Sequence, residues 1–177
     1  DTRRPQSGAV GLASGGEAAI ITPLPDASPI DHHVVTTNVT ITAEDGLDLN
    51  NHLFLPPDLR PGERRPALIF IHGGSRRQML LGYHHRHFYH MAYAMNQYWA
   101  SQGYVVLSVN YRTGIGYGKE FRTAEGRGGE GNTEYRDILA AGKYLQTRDD
   151  VDAERIGLWG LSYGGILTAQ GLARNSE

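Results

Sequence analysis

The stretch from Arg155 to Gly165, Arg-Ile-Gly-Leu-Trp-Gly-Leu-Ser-Tyr-Gly-Gly, constrains the fold of this chain more than any other. Ile156 to Trp159 is a short apolar run of the kind that forms a strand covered on both faces. Ser162 to Ala173 reads as a helix. Between them lies Gly160-Leu161-Ser162-Tyr163-Gly164, a G-x-S-x-G sequence. A strand that turns into a helix this abruptly strains its central residue. It needs glycine two positions before and two after, where side chains would collide with neighbouring backbone. The turn exposes the serine oxygen at the carboxyl edge of the sheet and aims the first N–H groups of the helix at the same space. The competing reading is a serine N-cap among small residues that pack tightly.

Two further apolar runs read as central strands, Ala67 to Ile71 and Tyr104 to Val109. Val34 to Thr42 and Asn50 to Leu55 suit a pleated surface, and Glu44-Asp45-Gly46 between them makes a hairpin. Helical spacing recurs at Met91, Ala94, Met95, Tyr98 and Trp99. It recurs again at Tyr135, Ile138, Leu139, Ala141, Gly142 and Leu145, after Asn132 or Thr133 as N-cap. Strands alternating with helices predict an α/β fold: a mostly parallel sheet with an antiparallel N-terminal hairpin and helices on both faces. Residues 1–31 are poor in large apolar groups and rich in Gly, Ala, Ser and Pro. They read as a linker or the tail of an upstream domain, with Ala19-Ile20-Ile21 as a short strand at most.

With 177 residues the chain is long enough for one domain with its own core. Its net charge of -2 gives no sign of the basic excess usual in nucleic-acid binders. There is no cysteine, hence no disulfide framework or thiolate metal site, and the compartment is left open. No apolar run approaches the roughly 18–20 residues of a membrane span.

Two rival constellations are weaker. His84, His85, His87 and His90 lie among Tyr83, Phe88 and Tyr89, without H-E-x-x-H. They read as a polar-aromatic loop near the mouth of the site rather than a metal centre. Gly126 to Gly131 matches G-x-G-x-x-G, but no strand precedes it, so a dinucleotide site is rejected. This set and Gly114 to Gly118 read as parts of the long loop after the second central strand.

Ile71-His72-Gly73-Gly74 closes the first central strand. That is the place of the HGG-type oxyanion loop in α/β-hydrolases, whose serine motif is G-x-S-x-G. N–H groups of Gly73 or Gly74, with that of Tyr163, are the candidate oxyanion donors for a Ser162 nucleophile. Several ordered motifs extend the likeness: Thr40 to Leu47 with Leu53 to Pro56, His72-Gly73-Gly74, Asn110 to Gly118, and Trp159 to Gly165. From about Val34 onward the chain resembles the prolyl oligopeptidase (S9) family of serine peptidases, in which an α/β-hydrolase domain is joined to a β-propeller. The resemblance implies that residues 32–177 are the N-terminal portion of the catalytic domain. It implies peptide or acyl-peptide substrates, with no cofactor and no metal. Some members use a tyrosine hydroxyl as one oxyanion donor. His72 stands at that place here, which is more similar to the acylaminoacyl-peptidase branch. His72, Tyr111 and Tyr117 are candidates to line the substrate pocket. A carboxylesterase of the same fold and a non-catalytic interaction module are the alternatives.

The family places its triad Asp and His well after the serine, and the fifteen residues after Ser162 contain neither. The resemblance also implies the strand order 1-2-4-3-5, with the strand before Ser162 at an edge. The expectation for these 177 residues alone is therefore poor solubility or partial unfolding, and no hydrolysis of an activated ester. Cooperative unfolding together with enzyme-like fluorophosphonate labelling of Ser162 would contradict it.

Overall fold

A computed structural model of the chain describes residues 2–26, 28–126 and 133–175. The glycine run at 127–131 and the N-cap alternative Asn132 lie outside the described residues. Two short strands, β1 (Ala9–Val10) and β2 (Ala19–Ile20), pair antiparallel as an exposed ribbon. The main sheet contains β3 (Thr37–Thr42), β4 (Asp48–Phe54), β5 (Arg65–Ile71), β6 (Val105–Val109) and β7 (Val151–Gly160). Its order is β3-β4-β6-β5-β7, the expected 1-2-4-3-5. β3, β4 and β6 are joined antiparallel, whereas β5 runs parallel to both β6 and β7. At the hairpin turn Gly46 takes φ 84°, and its N–H donates to the Ala43 carbonyl at 2.9 Å. β7 starts earlier than the apolar run suggests, and a register shift in β5 between Arg65 and Ala67 accommodates the polar residues that precede Ile156.

The two faces of the sheet are covered by different helices. Ala67, Ile69 and Ile71 alternate with Leu68 and Phe70 along β5, as a strand buried on both sides must. The first set packs with Tyr135, Ile138, Ala141 and Leu145 of α3 (Glu134–Gln146) and Leu167 of α4 (Tyr163–Arg174). The second packs with Tyr89, Ala92, Tyr93 and Ala100 of α1 (His87–Ser101). A five-residue helix, α2 (Gly118–Arg122), follows β6.

α1 corrects one expectation. Met91, Met95 and Tyr98, taken from the sequence as its apolar face, are exposed. The buried face is Tyr89, Ala92, Tyr93, Asn96, Gln97 and Ala100. Two polar residues on that face disguise it. Gln97 is buried because its amide is used: Oε1 accepts from the Val34 N–H at 2.7 Å and Nε2 donates to the Val34 carbonyl at 3.0 Å.

One arginine ties three segments together. Arg112, just after β6, donates through Nε and Nη2 to Asp137 of α3 at 2.9 and 2.6 Å. Its Nη1 and Nη2 donate to Asp45 in the β3–β4 turn at 2.5 and 3.0 Å. The Arg112 backbone N–H also reaches Asp137, at 2.6 Å. Next to it Thr113 holds φ 70°, unusual for a β-branched residue, and donates its hydroxyl to the buried Glu134 at 3.0 Å. The side-chain hydrogen bond from Arg112 holds the Asp45 carboxyl down to about 2, from an ordinary 3.8. A depressed carboxylate stabilises the fold fully above its unfolded value. That contribution is lost as the pH falls through the folded one, here between about 4 and 2. Arg112→Ala leaves Asp137 buried without its partner and is expected to cost about 3–5 kcal/mol. Chemical denaturation of the protein carrying this chain should show a lowered midpoint at neutral pH; an unchanged midpoint would contradict this reading.

Candidate active site

β7 ends at Gly160 and α4 begins at Tyr163, so the reversal occupies Leu161 and Ser162. Ser162 sits at φ 59°, ψ -122°, one of two positive-φ residues other than glycine among those described. This backbone does not match the capping reading of the motif. A capping serine adopts an extended backbone and accepts a hydrogen bond from the first helical turn. Ser162 has neither the backbone nor the side-chain cap, and it is exposed. The α4 bonds begin instead from backbone, with Gly164 N–H to Leu161 O at 3.0 Å and Ile166 N–H to Ser162 O at 3.1 Å.

The glycines of the motif are explained by contact. A methyl group on Gly160 would stand 2.6 Å from the Ile71 carbonyl oxygen and 2.8 Å from that of Gly164. One on Gly164 would run into the carbonyl oxygens of both Ile71 and His72. One on Gly73 would lie 2.7 Å from the Leu161 carbonyl oxygen and 3.3 Å from Ser162 Cβ. Thus β5 and the strand–helix turn touch backbone to backbone, and the structure brings Gly73 directly against Ser162. Gly74 continues the loop at φ 50°, with the Arg77 side chain beside it. Among the described residues, none of the backbone hydrogen bonds outside helices and strands uses the N–H of Gly73 or Gly74. Tyr163 is the first residue of α4, at the end where a helix offers its N–H groups.

The three pocket candidates have other occupations. His72 is fully buried, and its ring stacks on Tyr111 at 4.3 Å. Its Nδ1 donates to the Gly73 carbonyl at 3.1 Å, and burial pushes its pKa down to about 4, which keeps the ring neutral. Tyr111 is fully buried too. Neither side chain presents a surface, so neither lines a pocket. Tyr117 packs with Ala43, Leu49 and Phe121, and its hydroxyl accepts from Asn110 Nδ2 at 3.0 Å. In the histidine cluster His84 is buried, stacking on His85 at 4.3 Å and accepting the Arg86 N–H at 2.9 Å, while His85 and His87 are exposed. No group of three or more His, Cys, Asp or Glu side chains among the described residues is arranged to hold a metal ion.

The sequence places Tyr89 only within a polar-aromatic stretch near the mouth of the site; its contact with the glycine loop carries no sequence signal. Tyr89, in the first turn of α1, donates its hydroxyl to the Gly73 carbonyl at 2.8 Å. Only tertiary proximity identifies that contact.

The model of the prolyl oligopeptidase family matches residues 89–177, half of the chain. The chain belongs to the prolyl oligopeptidase family. Human dipeptidyl peptidase 8 is 31% identical over 155 residues, which are 87% of this chain and 17% of that protein. The Mycobacterium tuberculosis puromycin-hydrolyzing peptidase superposes with a TM-score of 0.83 at 22% identity, over 98% of this chain and 26% of that one. The Pyrococcus horikoshii acylaminoacyl peptidase gives a TM-score of 0.64 at 30% identity, over 81% of this chain and 22% of its own. The fold is that of an α/β-hydrolase, of which this chain forms part. The chain spans less than a fifth of the length of that curated relative. Within this prolyl oligopeptidase family member, the segment from Gly73 to Gly164 carries both the glycine loop and the strained serine. No helix among the described residues is long and apolar enough to cross a membrane.

Proposed function

We propose that this chain supplies the nucleophile and the oxyanion donors of a serine peptidase acting on short peptides or acyl-peptides. The observation that carries the reading is the uncapped Ser162 at φ 59°, exposed at a strand–helix turn and pressed against Gly73. A capping or packing role leaves that strain without a purpose.

In this reading Ser162 Oγ attacks the scissile carbonyl carbon while its proton passes to a histidine of the longer parent protein. That histidine is oriented by an aspartate. The carbonyl oxygen becomes an oxyanion, held by the N–H of Tyr163 and that of Gly73 or Gly74. The C–N bond breaks, the amine leaves with the proton, and water then hydrolyses the acyl–Ser162 ester. Peptide substrates are favoured because named relatives are dipeptidyl and acylaminoacyl peptidases. Residues 1–31 would be the link to an upstream domain, and residues 32–177 the first portion of the catalytic one.

In the full-length parent, Ser162→Ala should lower turnover of acyl-peptide substrates by on the order of a millionfold while leaving the unfolding transition in place. Retained turnover would defeat the assignment. Turnover of simple esters with no activity on acyl-peptides would favour a carboxylesterase instead.

A further inference from the structure

The glycines that let β5 meet the serine turn also create a difficulty. The peptide units His72–Gly73 and Gly73–Gly74 have little steric preference of their own, because glycine lacks the Cβ that restricts backbone rotation. A donor that can rotate away is a poor oxyanion ligand, since electrostatic stabilisation depends on dipoles fixed before the reaction. Something else must fix these two planes.

Resting on the reading above, we propose that Tyr89 and Tyr111 are positioning residues that lock the two peptide groups of the oxyanion loop through their carbonyl oxygens. The Tyr111 hydroxyl donates to the His72 carbonyl at 2.9 Å, and the Tyr89 hydroxyl donates to the Gly73 carbonyl at 2.8 Å. Those carbonyls share their peptide units with the N–H groups of Gly73 and Gly74. The described peptide bonds are trans, so C=O and N–H point in opposite directions across each rigid plane. Holding each oxygen therefore aims each N–H away from its tyrosine. The Gly73 carbonyl has a second donor in His72 Nδ1 at 3.1 Å.

Three features suit the tyrosines to this task. Both are buried, so water does not readily replace their hydroxyls. Burial also raises both phenol pKa values, which keeps the hydroxyls protonated donors. They approach from different layers: Tyr89 belongs to the core cluster under α1, and Tyr111 to the cluster under α3 and α4. The Tyr111 ring also stacks on His72 at 4.3 Å and lies near-parallel to Tyr163 at 6.1 Å. One side chain thus spans the glycine loop and the first residue of α4, the two sources of oxyanion donors.

The test uses the full-length parent with Tyr89→Phe, Tyr111→Phe and the double variant, each losing one oxygen and keeping the ring. We expect kcat on an acyl-peptide to fall about tenfold for each single change, less than the loss on deleting a donor itself. KM should stay within about twofold. Affinity for a peptidyl boronic acid, which forms a tetrahedral adduct on the serine, should fall in step with kcat. If Tyr111→Phe does not fold, Tyr89→Phe carries the test alone. Unchanged kcat and boronate affinity, with or without a lower Tm, would overturn the positioning role, as would a rise in KM alone. Ser162→Ala is assayed alongside. If it stays active, the proposed function fails instead; if it is dead while the phenylalanine variants act as wild type, only the positioning role fails.

Discussion

The structure depends on one backbone crossing. The end of β5 and the start of α4 approach until carbonyl oxygens face bare Cα atoms, and only glycine permits it at 73, 160 and 164. Ile71 is the last strand residue before the crossing, and its carbonyl oxygen is the atom both Gly160 and Gly164 must accommodate. The parallel pairing of β5 with β7, up to Ile71 opposite Gly160, delivers the two backbones there in register. The strain at Ser162 follows from turning into a helix at that point. Apolar packing on both faces of β5, with Leu158 and Trp159 of β7 partly buried against it and Leu167 of α4 fully buried, supports the strained turn.

Much of this was legible in the sequence because glycine spacing and apolar runs report local geometry. Ile156 to Trp159 ahead of Gly160-Leu161-Ser162-Tyr163-Gly164 sufficed to expect a strand, a turn and a helix. The hairpin also emerged from its turn residues, and the strand order from the resemblance to the prolyl oligopeptidase family. The α1 face was not legible, since a buried Gln97 looks like a surface residue until Val34 is known to meet it. Pocket roles for His72 and Tyr111 do not fit their full burial, for a related reason. Aromatic residues near a glycine motif suggest a substrate wall, but whether a ring faces solvent or another ring is a tertiary fact. Tyr89 lies 16 positions from the carbonyl it holds, and no local pattern links them.

The loop after β6 joins the site to the rest of the fold. Tyr111 serves the glycine loop, while Arg112 and Thr113 anchor the same segment to Asp45, Asp137 and Glu134. A buried arginine with two carboxylates is a weak source of net stability but a strong constraint on geometry, because each partner is costly to leave alone. In this account the Arg112 cluster sets the position of Tyr111, and Tyr111 sets that of the donors. Residues far from the reacting atoms thereby share in the precision that the chemistry requires.

The most direct test of the central claim is a crystal structure of the full-length parent after reaction with a fluorophosphonate. The account predicts a phosphorus–oxygen bond to Ser162, with the phosphonyl oxygen within about 3 Å of the Tyr163 nitrogen and of the Gly73 or Gly74 nitrogen. An adduct on another residue, or a phosphonyl oxygen turned away from both backbone donors, would contradict it.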